Sequence, residues 1–129
     1  MAIKLNPDFA NAHYNLGNAL LAEGKNEEAI SHYKMAIKLK PDYANAHNNL
    51  GIALVAEGKN EEAISHYKMA IKIKPDYAEA YNNLGGALFH AKMTEEAIDY
   101  FKEAIRIRPG FAAAQKNLEM VLLRSEELE

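Results

Sequence analysis

The side chains best equipped for chemistry are five histidines, a Glu-Glu pair repeated in each of three units and a set of asparagines at one fixed spacing. His13, His32, His47, His66 and His90 are of the type that serves as a general base or metal ligand. The pairs Glu27-Glu28, Glu61-Glu62 and Glu95-Glu96 offer adjacent carboxylates. Asn15, Asn49, Asn83 and Asn117 recur every 34 residues. Each amide carries donors and an acceptor, so such a ladder can pair with the main chain of an extended peptide. The histidines and glutamates have simpler explanations. His13 and His47 fall on a helix-packing stripe and are expected as fillers between helices. His32 and His66 belong to second helices beside Tyr33 and Tyr67, where a solvated histidine on the convex side is expected. The glutamate pairs fall in the first turn of a helix, where the macrodipole favours negative charge. No phosphate loop, nucleophile motif or metal-ligand cluster accompanies them. The expectation is therefore no catalysis, no cofactor and no metal.

What positions these residues is a repeat. Pro7, Pro41, Pro75 and Pro109 are 34 apart, and Leu16-Gly17, Leu50-Gly51 and Leu84-Gly85 keep the same period. So do Ala29, Ala63 and Ala97. Residues 10–43 and 44–77 differ at only four of 34 places, namely Tyr14/Asn48, Asn18/Ile52, Leu21/Val55 and Leu39/Ile73. Residues 78–111 match the second unit at about half their positions. Within the first unit, His13, Leu16, Gly17 and Leu20 stand at helical spacing on one stripe. Asp8 is expected to cap that helix, and Gly24 to end it in the left-handed conformation. Asn26 is expected to cap a second helix whose inward stripe is Ala29, Ile30, Tyr33, Ala36 and Ile37, with Pro41 stopping it. A mid-helix glycine costs about 1 kcal/mol relative to alanine. Its recurrence at Gly17, Gly51 and Gly85 predicts a close approach of the paired helix, through small residues such as Ala29 and Ala36.

These residues resemble the tetratricopeptide repeat family over nearly the whole chain. The family's pattern of an aromatic, Leu-Gly, a large residue, Ala, an aromatic, Ala and Pro within 34 residues appears here as His13, Leu16-Gly17, Leu20, Ala29, Tyr33, Ala36 and Pro41. The first aromatic is replaced by His13 and His47 and returns as Tyr81. The resemblance implies an all-α, right-handed superhelical solenoid of antiparallel helix pairs. Units would span 10–43, 44–77 and 78–111, with 112–129 as a capping helix and 1–9 as the end of a truncated preceding repeat. Residues 1–5 resemble residues 35–39, so a natural fragment or an engineered array both fit. In the cap, the glycine slot holds Glu119, and Arg124, Ser125, Glu126, Glu127 and Glu129 make the tail polar, as a terminal helix requires.

In proteins with similar repeats the first helices line the concave side, where ligands lie. The stripe left over after packing is Asn11, Tyr14, Asn15, Asn18 and Leu21 in the first unit, then Asn45, Asn48, Asn49, Ile52 and Val55. It continues as Glu79, Asn82, Asn83, Phe89 and His90, and in the cap as Asn117, Met120 and Leu123. Three of the four differences between the near-identical units fall on it, as expected of a face that carries specificity. Tolerance at any solvent-facing surface is the alternative. The array of O-linked N-acetylglucosamine transferases has a similar asparagine ladder, which implies a comparable role, although asparagine at this slot also bonds neighbouring helices. Family members that bind acidic chaperone tails clamp a carboxylate with two asparagines and three basic residues. Asn18 and Asn49 match the asparagines, but Tyr14, Glu79 and Asn83 stand in the basic slots, which disfavours that ligand.

Composition agrees with a folded binding module. The chain is 49% hydrophobic and 26% charged with a net charge of −3, which offers no field for nucleic acid or anionic lipid. Cysteine is absent, which excludes disulfides and thiolate metal sites. No apolar run approaches a membrane span or a signal sequence, so a cytoplasmic location is the expectation. The expected partner is a protein or peptide in the groove, with self-association through the N-terminal end as the alternative.

Overall fold

The structure is a computed structural model that describes residues 7–127. Seven α-helices follow one another: α1 Pro7–Ala22, α2 Asn26–Leu39, α3 Ala44–Ala56, α4 Asn60–Ile73, α5 Ala78–His90, α6 Thr94–Ile107 and α7 Ala112–Glu127. They form three hairpins, α1/α2, α3/α4 and α5/α6, with α7 docked on the last. Each second helix also packs on the first helix of the next hairpin, and successive first helices touch one another. The result is an all-α solenoid with one continuous core. The expectation placed on residues 1–5 lies outside the described residues, as does that on Glu129.

The hairpin turns follow from backbone chemistry. Gly24 and Gly58 adopt φ +78° and +76°, and Lys92 takes the same left-handed conformation at φ +64°. In each turn the following residue reaches back across the helix end, with Lys25 N–H to Leu20 O at 2.9 Å, Lys59 to Leu54 at 2.8 Å and Met93 to Leu88 at 2.9 Å. These bonds satisfy carbonyls that the helix end would otherwise leave unpaired. The capping expected of Asn26 is not what the structure shows. Asp8 lies inside the first turn of α1, and Asn26 is the first helical residue of α2, whose N-terminal position carries no side-chain cap. The turn from the left-handed glycine enters the helix one residue earlier than the capping pattern implies. In the second unit the matching Asn60 instead donates 2.9 Å to the Ala87 carbonyl, bonding its hairpin to the next. Glu27 and Glu28 do fall in the first turn of α2.

The repeated glycines face rings, not alanines. A Cβ placed on Gly17 would lie 2.7 Å from Tyr33 Cε1, one on Gly51 2.4 Å from Tyr67 Cε1, and one on Gly85 2.7 Å from Phe101 Cε1. A flat ring laid against the backbone of the opposing helix therefore sets the hairpin spacing. Ala29 and Ala36 are fully buried but are not the contact that excludes a side chain. Leu16 departs from its expected packing slot as well. It is 46% exposed while its counterparts Leu50 and Leu84 are fully buried, because among the described residues no helix precedes α1 to cover it.

The histidines pair across the hairpins. His13 Nδ1 and His32 Nδ1 are 3.0 Å apart, and His47 Nδ1 and His66 Nδ1 are also 3.0 Å apart. His32 and His66 are thus partly buried partners, not solvated surface groups. The ring planes lie within 25° and 26°, and the centroid separations of 5.3 and 5.2 Å approach the N···N distance plus the two ring radii. The imidazoles meet nearly edge to edge, as in a hydrogen bond in which one Nδ1 donates to the other. Tyr81 and Tyr100 occupy the same two positions in the third unit, with ring centroids 6.0 Å apart.

Candidate functional site

The first helices α1, α3, α5 and α7 stand side by side, so one stripe of each faces a shared surface. Along it run two cavities. One, of about 280 Å³, is lined by Ile52, Val55, Asn82, Asn83 and neighbouring groups. The other, of about 1170 Å³, is bounded by Phe89, Ile98, Met120 and Arg124 among others. Gly86, His90 and Asn117 line both, so the two are continuous. Nothing lies within 4 Å of where a Gly86 side chain would begin. The first two units carry Asn18 and Ile52 at that position, so the missing side chain opens the groove in the third unit.

Of the eighteen stripe residues expected to contact a ligand, Ile52, Val55, Asn82, Asn83, Phe89, His90, Asn117 and Met120 line these cavities, and the stripe as a whole is not equally exposed. Ile52, Val55, Met120 and Leu123 are exposed apolar groups. Asn11, Asn15, Asn45 and His90 are exposed, and Tyr14, Asn18, Leu21, Asn49, Glu79, Asn82, Asn83, Phe89 and Asn117 are half-buried. Asn48 is only 4% exposed, because its amide is built into the stack.

The asparagines form bridges between units. Asn83 Nδ2 donates to Asn48 Oδ1 at 3.0 Å, and Asn117 Nδ2 to Asn82 Oδ1 at 3.0 Å, each reaching back 35 residues. Tyr14 replaces asparagine in the first unit, so Asn49 Nδ2 turns to Asn18 Oδ1 at 2.8 Å and to the Tyr14 hydroxyl at 3.2 Å. The Tyr33 hydroxyl donates to the same Asn18 oxygen at 2.6 Å. Burial pushes that hydroxyl up to about 12. The two asparagines at the carboxylate-clamp positions, Asn18 and Asn49, are therefore bonded to each other. Glu79 is held by Arg108 from the end of α6. Burial raises its carboxyl, but the Arg108 hydrogen bond, its own backbone N–H and the Arg108 and Lys74 charges bring it below the ordinary value.

The acceptors of the bridges, Asn48 and Asn82, and the inter-hairpin donor Asn60 were not legible as structural groups. Their signal was the adjacent pair Asn48-Asn49, repeated as Asn82-Asn83, in which one amide can serve as acceptor for the next unit's donor. Among the described residues no three His, Cys, Asp or Glu side chains group as a metal ion would need. No described helix is long and apolar enough to cross a membrane.

A tetratricopeptide repeat family model matches residues 42–110, more than half of the chain. The chain belongs to the tetratricopeptide repeat family. Two further models of the repeat match residues 17–58 and 1–31. None of the curated proteins matches the sequence. Among solved structures, this repeat protein is similar to the first repeat domain of Spaghetti (RPAP3) bound to the HSP90 peptide SRMEEVD, at 23% identity and a TM-score of 0.92, with 97% of this chain and 99% of that chain covered. The second repeat domain of human RPAP3, in complex with the HSP70 peptide SGPTIEEVD, gives 27% identity and 0.86, covering 90% and 98%. The Sgt2 repeat domain from Aspergillus fumigatus gives 25% and 0.88, covering 92% and 80%.

Proposed function

We propose that this tetratricopeptide repeat chain is a non-catalytic interaction module that holds an extended peptide segment of a partner protein along its first helices. The observation behind this reading is the continuous groove from Ile52 and Val55 past Gly86 to Phe89 and Met120, apolar in its floor and edged by amides. Exposed apolar side chains beside unspent amide groups match an extended segment, which offers alternating side chains and a free main chain. Asn83 and Asn117 each use one N–H between units, which leaves a second N–H for a ligand. The similar structures that hold HSP90 and HSP70 peptides support a peptide as the ligand class. An acidic chaperone tail in their manner is not the reading, since Tyr14, Glu79 and Asn83 supply no cation at the clamp positions. The units are read as 10–43, 44–77 and 78–111 with 112–129 as the cap, and the cytoplasm as the compartment.

The test is selection from a random peptide library against the wild type and two variants. Gly86→Leu fills the groove where nothing else stands, and Asn49→Ala/Asn83→Ala removes ladder amides. Selected peptides should lose binding to Gly86→Leu while its helicity is unchanged. Equal binding by the double alanine variant removes the ladder from the reading, and a library that yields no binder removes the groove. Self-association is a second reading, favoured by the exposed Phe9 (59%) and Leu16 on α1. It requires a mass that rises with concentration in analytical ultracentrifugation and falls back in Leu16→Glu.

A further inference from the structure

The groove differs in character along its length. Near Ile52 and Val55 its polar lining is the amides of Asn82, Asn83 and Asn117 with Tyr67 and His90, and among the described residues it holds no lysine, arginine or carboxylate. Beyond Gly86 its floor is Phe89, Ile98, Phe101 and Met120, and two cations, Lys92 and Arg124, enter the lining. Neither is in an ion pair among the described residues, a state they share with most of the chain's lysines. Among the described residues one carboxylate, Glu95, shares the rim with them. In a chain of net charge −3, this is a local reversal of sign beside an apolar surface. The Arg124 guanidinium carbon lies 5.7 Å from the Phe89 ring centroid. That cation–π contact places the guanidinium at the mouth of the groove, and among the described residues no carboxylate is paired with its N–H fork.

An apolar floor beneath two rim cations is complementary to one ligand chemistry. We infer that this end of the groove takes a peptide segment in which a large apolar side chain is closely followed by a carboxylate, the first resting on Phe89, Ile98 and Met120 and the second meeting Lys92 and Arg124. The inference rests on the groove reading above and deepens it. The cations stand at the opposite end of the array from Tyr14 and Asn18, so the acidic group sits where the third hairpin meets α7. A purely aliphatic segment would leave both cations desolvated without a partner, and a basic one would add repulsion, so the rim selects against both.

Three fluorescein-labelled peptides in one Gly-Ser host test this by anisotropy: one with Phe then Asp, one with Phe then Lys, one with Ala then Asp. The Phe-Asp peptide should bind about tenfold more tightly than either control, with an advantage over Phe-Lys that shrinks as salt screens the rim. Arg124→Glu should reverse the preference between Asp and Lys. Equal binding of the Phe-Asp and Phe-Lys peptides, unchanged by Arg124→Glu but abolished by Gly86→Leu, overturns the inference and leaves the groove reading standing. Failure of all three to bind also overturns it, and the library selection then judges the groove separately. A concentration-dependent mass that disappears in Met120→Glu assigns this end to a second copy and likewise overturns it.

Discussion

Gly85 and Gly86 are neighbours on α5, yet alanine at these two positions should act with opposite sign. Both substitutions relieve the roughly 1 kcal/mol penalty of a mid-helix glycine. At Gly86 nothing else changes, because no heavy atom lies within 4 Å of the new methyl. Gly86→Ala should therefore raise the melting midpoint by about 3–5 °C for a chain of this size. At Gly85 the methyl would sit 2.7 Å from Phe101 Cε1 and 2.8 Å from Cδ1. Phe101 is 1% exposed and part of the main core, so moving its ring off the methyl disrupts core contacts even though one side of it borders the groove. Overpacking of this kind costs about 1–3 kcal/mol, and two sub-contact ring atoms place it toward the upper end. Helix propensity cancels between the two variants, so their difference isolates the ring contact at about 2–3 kcal/mol, or roughly 6–15 °C. Thermal melts followed by circular dichroism measure it. The variant Gly85→Ala/Phe101→Leu adds a check, since the smaller side chain makes room for the methyl and the double change should cost less than the sum of its parts. Coincident melting of the two alanine variants would refute the account of what the repeated glycine does.

Lys92 holds φ +64°, so Lys92→Gly should stabilise the fold by about 1 kcal/mol in chemical denaturation, while removing a cation from the groove rim. An unchanged or lowered midpoint would contradict the strain. Asn60→Ala breaks the 2.9 Å bond to the Ala87 carbonyl and should cost about 1 kcal/mol in the same assay. An unaltered midpoint would remove that bond from the account of the junction. Stability should also fall as pH drops from neutral. His47 is lowered by burial, partly offset by the Pro41 carbonyl, and His66 by burial, His47 and Lys34 against the opposing Glu62. Both therefore take up protons more readily unfolded than folded. Their contribution is complete above an unfolded value of about 6.5 and is lost as pH falls toward the lowered folded values. Copying the third unit with His47→Tyr/His66→Tyr should make the fall in midpoint between about pH 7 and pH 5 shallower. An equal fall in that variant would discount the pair.

The fold was legible because three units repeat the same constraint. One glycine in a helix is ambiguous, but the same glycine at Gly17, Gly51 and Gly85 is a packing rule. Its partner was missed because a hydrophobic stripe gives a face and no depth. Tyr33 was on the inward stripe with Ala29 and Ala36, and only coordinates show its ring reaching the opposing backbone. The capping of Asn26 failed for a related reason: residue type marks a helix start, while the left-handed turn at Gly24 decides which residue enters first. The histidine pairs could not be found by spacing within one helix, since His13 and His32 meet across a hairpin. Likewise the period of 34 placed Asn49, Asn83 and Asn117 on one face but left open whether they bond a ligand or one another. The bridges to Asn18, Asn48 and Asn82 show that part of that capacity is used inside the stack.

Those bridges have a mechanical meaning. They join one first helix to the next along the groove side, so they behave as short tie rods whose length is coupled to the curvature of the coil. Straightening the stack stretches Asn83–Asn48 and Asn117–Asn82 from 3.0 Å toward breakage, whereas tighter winding compresses them. A hydrogen bond resists both within a few tenths of an ångström, which sets the rest pitch of the coil more sharply than apolar contacts alone would. A segment lying in the groove can take over such a bond with its own main chain. Elastic compliance would then rise where the segment sits, and the array could lengthen along its ligand without exposing its core.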